Sequence, residues 1–278
     1  MPAPTSTPTP TPTPTPVGGG VVFVGAGDIA TGGGNDEATA RLLDGIAGTV
    51  FTLGDNVYSN GTAAEFAERY EPTWGRHKAR TRPVPGNHDY GTSGAAGYFG
   101  YFGAAAGDPT KGYYSYDLGD WHIVALNSEI DVGAGSTQEQ WLRSDLAAST
   151  KTGTLAYWHR PRFSSGAHGS STRTTALWQA LYDYNAEIVL VGHDHNYQRF
   201  APQTAAGVAD PARGIRQFVV GTGGAGLYDF STPIANTEAY NVNTHGVLKL
   251  TLHPGRYDWQ FVPVAGKTYT DSGSAACH

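Results

Sequence analysis

Five short segments of this 278-residue chain close an apolar run with residues that bind hard cations. They are Gly27-Asp28, Gly54-Asp55-Asn56-Val57-Tyr58, Gly86-Asn87-His88-Asp89, Trp158-His159 and Gly192-His193-Asp194-His195. Together they offer the carboxylates of Asp28 and Asp55, the phenol of Tyr58, the amide of Asn87 and the imidazoles of His159, His193 and His195, with His88 left over. That set is too rich for one ion and suits two ions sharing a bridging carboxylate. Oxygen and nitrogen donors without a thiolate select hard or borderline metals, and paired metals in such a pocket are suited to hydrolysing phosphate esters.

Such residues converge only if strands deliver them to one edge. Val21–Val24, Val50–Leu53, Pro83-Val84, His122–Leu126, Leu155–Trp158 and Ile188–Val191 are short apolar runs bounded by Gly or polar residues, the pattern of central strands. In open α/β sheets ligands gather beyond the carboxyl ends of the strands, where Asp28, Asp55, Asn87, His159 and His193 would all lie. Helices fill the gaps. Thr62-x-x-Glu65 and Ser136-x-x-Glu139 read as capping boxes opening helices through Tyr70 and about Leu146. Leu177, Trp178 and Leu181 carry helical spacing over Thr174–Tyr184. Toward the C-terminus, Phe218–Val220, Gly246–Leu250 and Tyr257–Phe261 read as antiparallel strands, the last two joined around Pro254-Gly255. The order predicts an α/β fold in which β-α units precede a meander and two sheets pack together.

Length and composition fit one large globular domain: 38 glycines and 15% charged residues describe a compact, loop-rich chain. A formal charge of -6 argues against nucleic-acid scanning, which needs a basic face. The lone Cys277 leaves no internal disulfide. No apolar run is long enough for a membrane span, and the residues after Met1 carry no signal-peptide pattern. Residues 1–17 are instead a Pro-Thr tract, expected to be a disordered, extended linker ahead of a catalytic domain over residues 18–278. Such linkers occur on secreted or cell-surface proteins, and this one is expected to have followed an upstream partner or signal.

The motifs, in their order, resemble those of calcineurin-like metallophosphoesterases, and more narrowly of purple acid phosphatases, over roughly Val21 to Phe261. The family order is Gly-Asp, Gly-Asp-x-x-Tyr, Gly-Asn-His, a lone His after a strand, and Gly-His-x-His, here extended as Gly192–Arg199. Most metallophosphoesterases carry Asp-x-His in the first motif; Ala30 stands at that His, and Tyr58 supplies the missing ligand, as in purple acid phosphatases. The resemblance implies a four-layer α-β-β-α sandwich of two mixed sheets. It implies Fe(III) held by Asp28, Asp55, Tyr58 and His195, and a divalent ion (Fe, Zn or Mn) held by Asp55, Asn87, His159 and His193. A ferric and a divalent ion set against two carboxylates, a phenolate and a hydroxide leave a small positive excess, suited to a phosphate dianion.

His88 is the expected group to grip the phosphate or protonate the leaving alkoxide, with an orienting role as its alternative. His168 resembles a loop histidine that contacts substrate, although its local sequence matches poorly. Asp89, Tyr197 and Arg199 are expected to support the ligands, the latter two by holding the His193/His195 loop. Arg160 and Arg162 could reach phosphate or form surface pairs. Gly221–Gly226 lacks the ending of a P-loop and reads as a rim turn. His77, His122, His245 and His253 lack a motif context.

The expected activity is hydrolysis of small phosphate monoesters. A phosphodiesterase or nucleotidase on the same metals is the alternative, and a non-catalytic secreted binding module with structural metals is a remote one. No Gly-x-Ser-x-Gly elbow supports a serine hydrolase. The larger plant enzymes of the family carry an N-terminal β-sandwich domain; only the Pro-Thr tract stands there in this chain, which puts in doubt any dimer built on that domain.

Overall fold

The computed structural model describes residues 19–230 and 232–278. The Pro-Thr tract lies outside the described residues. In chain order the elements are β1 (Val21–Ala26), α1 (Asn35–Asp44), β2 (Thr49–Thr52), α2 (Ala63–Glu65, continued as a π-helical turn over Phe66–Tyr70), β3 (Thr81–Arg82) and α3 (Ala96–Phe102). There follow β4 (Tyr114–Leu118), β5 (Trp121–Ala125), α4 (Thr137–Ala148), β6 (Gly153–Tyr157), α5 (Thr175–Asp183), β7 (Ile188–Val191) and β8 (Tyr197–Phe200). The C-terminal part holds β9 (Arg216–Val220), β10 (Thr237–Asn241), β11 (Gly246–His253), β12 (Arg256–Pro263) and β13 (Ser272–Ala276).

One sheet has the order β13-β12-β11-β1-β2-β3 and the other β10-β8-β9-β7-β6-β5-β4. In the first, β1, β2 and β3 are parallel and β11–β13 antiparallel. In the second, β5, β6, β7 and β9 are parallel, flanked by antiparallel β4, β8 and β10. Strand alternation sends one set of side chains between the sheets. Phe23 meets Phe51 at 4.6 Å and Tyr157 at 5.7 Å between ring centres, and Tyr197 meets Phe261 at 4.7 Å. Each such buried ring contributes about 2–3 kcal/mol. The opposite set on the second sheet, including Val189, Val191 and Val219, packs on Leu142 and Leu146 of α4 and Leu177, Trp178 and Leu181 of α5. On the outer side of the first sheet α1 contacts β11 and a 3-10 turn over Trp74–Arg80. The result is the expected α-β-β-α sandwich of two mixed sheets.

Ile188–Val191 is a strand as expected, and the β11–β12 hairpin turns at Pro254-Gly255. The Thr62/Glu65 capping box is complete. At Ser136 only half of it forms: Ser136 Oγ accepts from Glu139 N, but the Glu139 carboxylate takes the Gly135 amide instead. Pro83-Val84 is not a strand; pairing stops at Arg82, before two prolines that have no amide hydrogen to donate. Phe218–Val220 does not join the C-terminal meander. It belongs to the second sheet, parallel to β7 and antiparallel to β8. No helix among the described residues is long and apolar enough to cross a membrane.

Candidate metal centre

Backbone pairing continues past the strand ends and carries the donors together. Beyond β1 and β2, the amides of Asp28, Ile29 and Ala30 donate to the carbonyls of Gly54, Asp55 and Asn56, and Tyr58 N returns to Ala30 O. Asp28, Asp55 and Tyr58 are thereby fixed side by side. Beyond β6 and β7, Trp158 N donates to Leu190 O and Gly192 N to His159 O, which does the same for His159 and His193. Gly27 N donates to Val220 O, Gly223 N to Gly27 O and Ala225 N to Asp28 O. The site therefore sits at the junction of the two sheets, and Gly221–Gly226 is a buttress for Asp28, with the amides of Gly221, Gly223 and Ala225 engaged on backbone carbonyls.

Small residues permit this closeness. A Cβ on Gly54, where φ is 81°, would lie 2.7 Å from His159 Nδ1, and one on Gly192 would lie 2.7 Å from Asp28 Oδ2. Three of the candidate ligands themselves adopt left-handed backbone: Asp28 at φ 60°, Asp55 at 48° and His193 at 72°. Such conformations cost about 1–3 kcal/mol each in a non-glycine residue and cluster at functional sites.

The donor atoms form two groups. The Tyr58 hydroxyl lies 3.0 Å from Asp28 Oδ1, 3.0 Å from His195 Nε2 and 3.3 Å from Asp55 Oδ2. His159 Nε2 lies 3.1 Å from Asn87 Oδ1, 3.1 Å from His193 Nδ1 and 3.3 Å from Asp55 Oδ2. Asp55 Oδ2 is common to both groups. Ligands about 2.1 Å from one ion at right angles stand about 3 Å from each other, so the spacing fits ion coordination. The other ring nitrogens are fixed by carbonyls, which can only accept: His159 Nδ1–H donates to Leu53 O at 2.8 Å and His195 Nδ1–H to Gly226 O at 2.7 Å. This turns both Nε2 atoms toward the centre, the usual support for a ligating histidine.

Charge in the site favours cations. Asp28, Asp55, His159 and His195 are all buried. Burial would push the Asp55 carboxyl up, but the facing charge and hydrogen bond of His159 hold it well below the usual carboxylate range. Burial, then the Asp28 and Asp55 carboxylates, push the Tyr58 phenol far up. Burial pushes His159 down, and the Asp55 charge overcomes it and carries it to about 10. Two buried carboxylates facing a phenol and two imidazoles form a site suited to a metal ion.

The remaining predicted residues divide. His88 is brought in: its amide donates to Asp55 Oδ1 at 2.8 Å, Nδ1–H donates to Ser59 O at 2.6 Å, and Nε2 faces Asp55 Oδ2 at 3.9 Å. His168 is exposed, yet its ring stacks on His193 at 4.2 Å. Asp89 ties neighbouring turns together by accepting from Gly86 N at 2.8 Å and from Asn56 Nδ2 at 2.9 Å. Arg160 donates to His193 Nε2 at 3.2 Å, whereas Arg162 turns away to Ala205 O. Tyr197 and Arg199 correct the expectation made for them. Alternation in β8 puts both on the face toward the other sheet, where they bind Asp271, each at 2.7 Å, rather than the His193/His195 loop. His77, His122, His245 and His253 bind carbonyls or carboxylates outside the donor groups.

Three residues went unassigned in the sequence. Tyr228 stacks on His195 at 4.1 Å, and nothing in its neighbourhood signals it. Asp194, inside the last motif, accepts from His168 N at 2.9 Å and from the Ser164 hydroxyl, strapping the His168 loop to the His193–His195 turn. Glu129 follows β5 at the same sheet edge and holds Arg160; its position past a strand end is a signal that could have found it.

The calcineurin-like phosphoesterase family model matches residues 21–197, more than half of the chain. The chain is 28% identical over 210 residues to purple acid phosphatase 15 of Arabidopsis thaliana, covering 62% of this chain and 40% of the relative. It is 29% identical over 206 residues to human acid phosphatase type 7, covering 62% of this chain and 46% of the relative. It thus spans less than half the length of either. A purple acid phosphatase from yellow lupin seeds superposes with a TM-score of 0.75 at 20% identity, covering 92% of this chain and 53% of that one. The chain belongs to the calcineurin-like phosphoesterase family, with purple acid phosphatases as its similar relatives.

Proposed function

We propose that the chain hydrolyses phosphate monoesters at a centre of two metal ions. The observation that carries this reading is Asp55 Oδ2, which lies 3.3 Å from both the Tyr58 hydroxyl and His159 Nε2 and so can serve both donor groups. Asp28, Asp55, Tyr58 and His195 would hold Fe(III), a match of hard anionic oxygens to a hard ion. Asp55, Asn87, His159 and His193 would hold a divalent ion, Fe, Zn or Mn. When bound, the ions supply Lewis-acid charge against the phosphoryl oxygens and acidify the attacking water. His88 presents Nε2, its Nδ1–H being fixed on Ser59 O, and grips a phosphoryl oxygen or gives a proton to the leaving alkoxide. His168, held by Asp194, faces the ester beside His193. Asp89 keeps the Asn87 and Asp55 turns in register. Residues 18–278 form the catalytic unit in this reading, and the Pro-Thr tract is a spacer of a secreted or cell-surface protein.

The test is hydrolysis of p-nitrophenyl phosphate and bis-p-nitrophenyl phosphate across pH, by protein reconstituted with iron and a divalent metal and by a chelated control. Monoester turnover at acid pH, lost on chelation, is the expected result. A diester preference at neutral or alkaline pH would move the function to a phosphodiesterase or nucleotidase. Turnover of neither would contradict the enzyme reading and favour a binding module with structural metals.

A further inference from the structure

Arg160 follows His159 in the chain and reaches the wall of the centre without a role in the reaction outlined above. Its Nε donates to both oxygens of Glu129, each at 3.0 Å, and its Nη1 donates to His193 Nε2 at 3.2 Å. The Glu129 side chain is 7% exposed and that of Arg160 30%. A buried carboxylate thus anchors the guanidinium, while the Arg160 side chain stays partly exposed.

Hydrogen-bond valence limits the His193 contact. A guanidinium has only donors, so His193 Nε2 must accept, and the hydrogen of a neutral ring then sits on Nδ1. Nδ1 is the atom His193 turns toward the centre, 3.1 Å from His159 Nε2. A neutral histidine that gives its Nδ1 lone pair to a metal carries its hydrogen on Nε2, donor to donor with Arg160. Ligation by His193 and the Arg160–His193 bond therefore exclude each other. The Glu129 pair is compatible with both.

We propose that Arg160 is a substrate-contacting residue that selects phosphate monoester dianions. Tethered to Glu129 through Nε, it exchanges its bond to His193 Nε2 for a non-bridging phosphoryl oxygen. A planar guanidinium suits a doubly charged phosphate with several free oxygens better than a singly charged diester. The inference rests on the phosphatase reading and deepens it by naming the charge class of substrate. Arg162 is directed elsewhere, its Nη2 donating to Ala205 O at 2.8 Å.

Wild type, Arg160→Gln and Arg160→Lys are compared as metal-reconstituted full chains. The readouts are Zn(II) affinity by chelator competition, orthophosphate affinity by calorimetry, and KM and kcat for both nitrophenyl esters. Arg160→Gln should bind Zn(II) at least as tightly as wild type, since the Gln carbonyl can accept the Nε2 hydrogen. Its orthophosphate Kd and monoester KM should rise about tenfold or more, with kcat and the diester KM changed less, and Arg160→Lys should recover part of the loss. Weaker Zn(II) binding in both variants would make Arg160 a scaffold of the centre, and an unchanged orthophosphate Kd would remove it from substrate binding; either result overturns the proposal. Should Arg160→Gln not fold, Arg160→Lys decides. Wild type gives an independent reading: orthophosphate should slow phenylglyoxal modification of Arg160, and absence of protection counts against the contact. If wild type hydrolyses neither ester, the phosphatase reading fails, while Zn(II) and orthophosphate binding still report on Arg160.

Discussion

Asp55 concentrates the chemistry of this molecule in one side chain. Its Oδ1 accepts the His88 amide at 2.8 Å, and its Oδ2 lies within 3.3 Å of donors from both groups. The left-handed backbone at Asp28, Asp55 and His193 lets three strand ends turn their side chains toward a common point, a strain that packed sheets can sustain. His88 differs from these residues, because only its amide supports the centre while its Nε2 stands 3.9 Å from Asp55 Oδ2. His88→Ala is therefore expected to lower kcat about 100-fold or more with metal content unchanged by elemental analysis. Loss of metal in that variant would assign His88 to the metal site itself.

At the scale of elements, the centre depends on pairs of strand ends held in register, and one polar link shows how that register can be probed. His122 on β5 donates to Asp145 of α4 at 2.8 Å and pairs with Asp117 of β4 at 3.1 Å, with Lys151 beside Asp117 at 3.5 Å. The hydrogen bond to Asp145, set against burial and aided by Asp117, raises the His122 pKa. A raised folded-state value stabilises fully below the unfolded value, near about 6.5, and the contribution fades as pH rises through the folded one. The stability difference between wild type and His122→Gln, about 1–3 kcal/mol for charge-assisted bonds, should be largest in mildly acidic buffer and shrink toward alkaline pH. Denaturant unfolding at both ends of the range checks this; a difference that grows with pH would refute the charged link.

Central elements were legible in the sequence because burial on both faces leaves continuous apolar runs, as in Ile188–Val191. Edge strands were not. β4, β10 and β13 each border a sheet, are largely half-buried or exposed, and have mixed sequences such as Ser272–Ala276. The seven proposed ligands were legible for a different reason, since the chemistry demands particular side chains just past strand ends. Tyr228 and the Asp271 clamp were hidden because both arise from contacts between segments remote in sequence.

At the scale of the whole molecule, neither sheet holds the site alone. β1, β2 and the turn after β3 bring Asp28, Asp55, Tyr58 and Asn87 from one sheet, while β6 and β7 bring His159, His193 and His195 from the other. Asp271, just before β13, reaches Tyr197 and Arg199 of β8 and ties the sheets together away from the candidate centre. Assembly of the candidate centre thus requires the two sheets to be packed together, and metal binding should report on that packing. The most direct measurement is the metal content of protein reconstituted with iron and zinc, by elemental analysis, for wild type and for Asn87→Ala/His159→Ala. The proposed centre predicts about two ions per wild-type chain and about one in the double variant. A single ion in wild type, or no loss in the double variant, would contradict a shared Asp55 serving two metals.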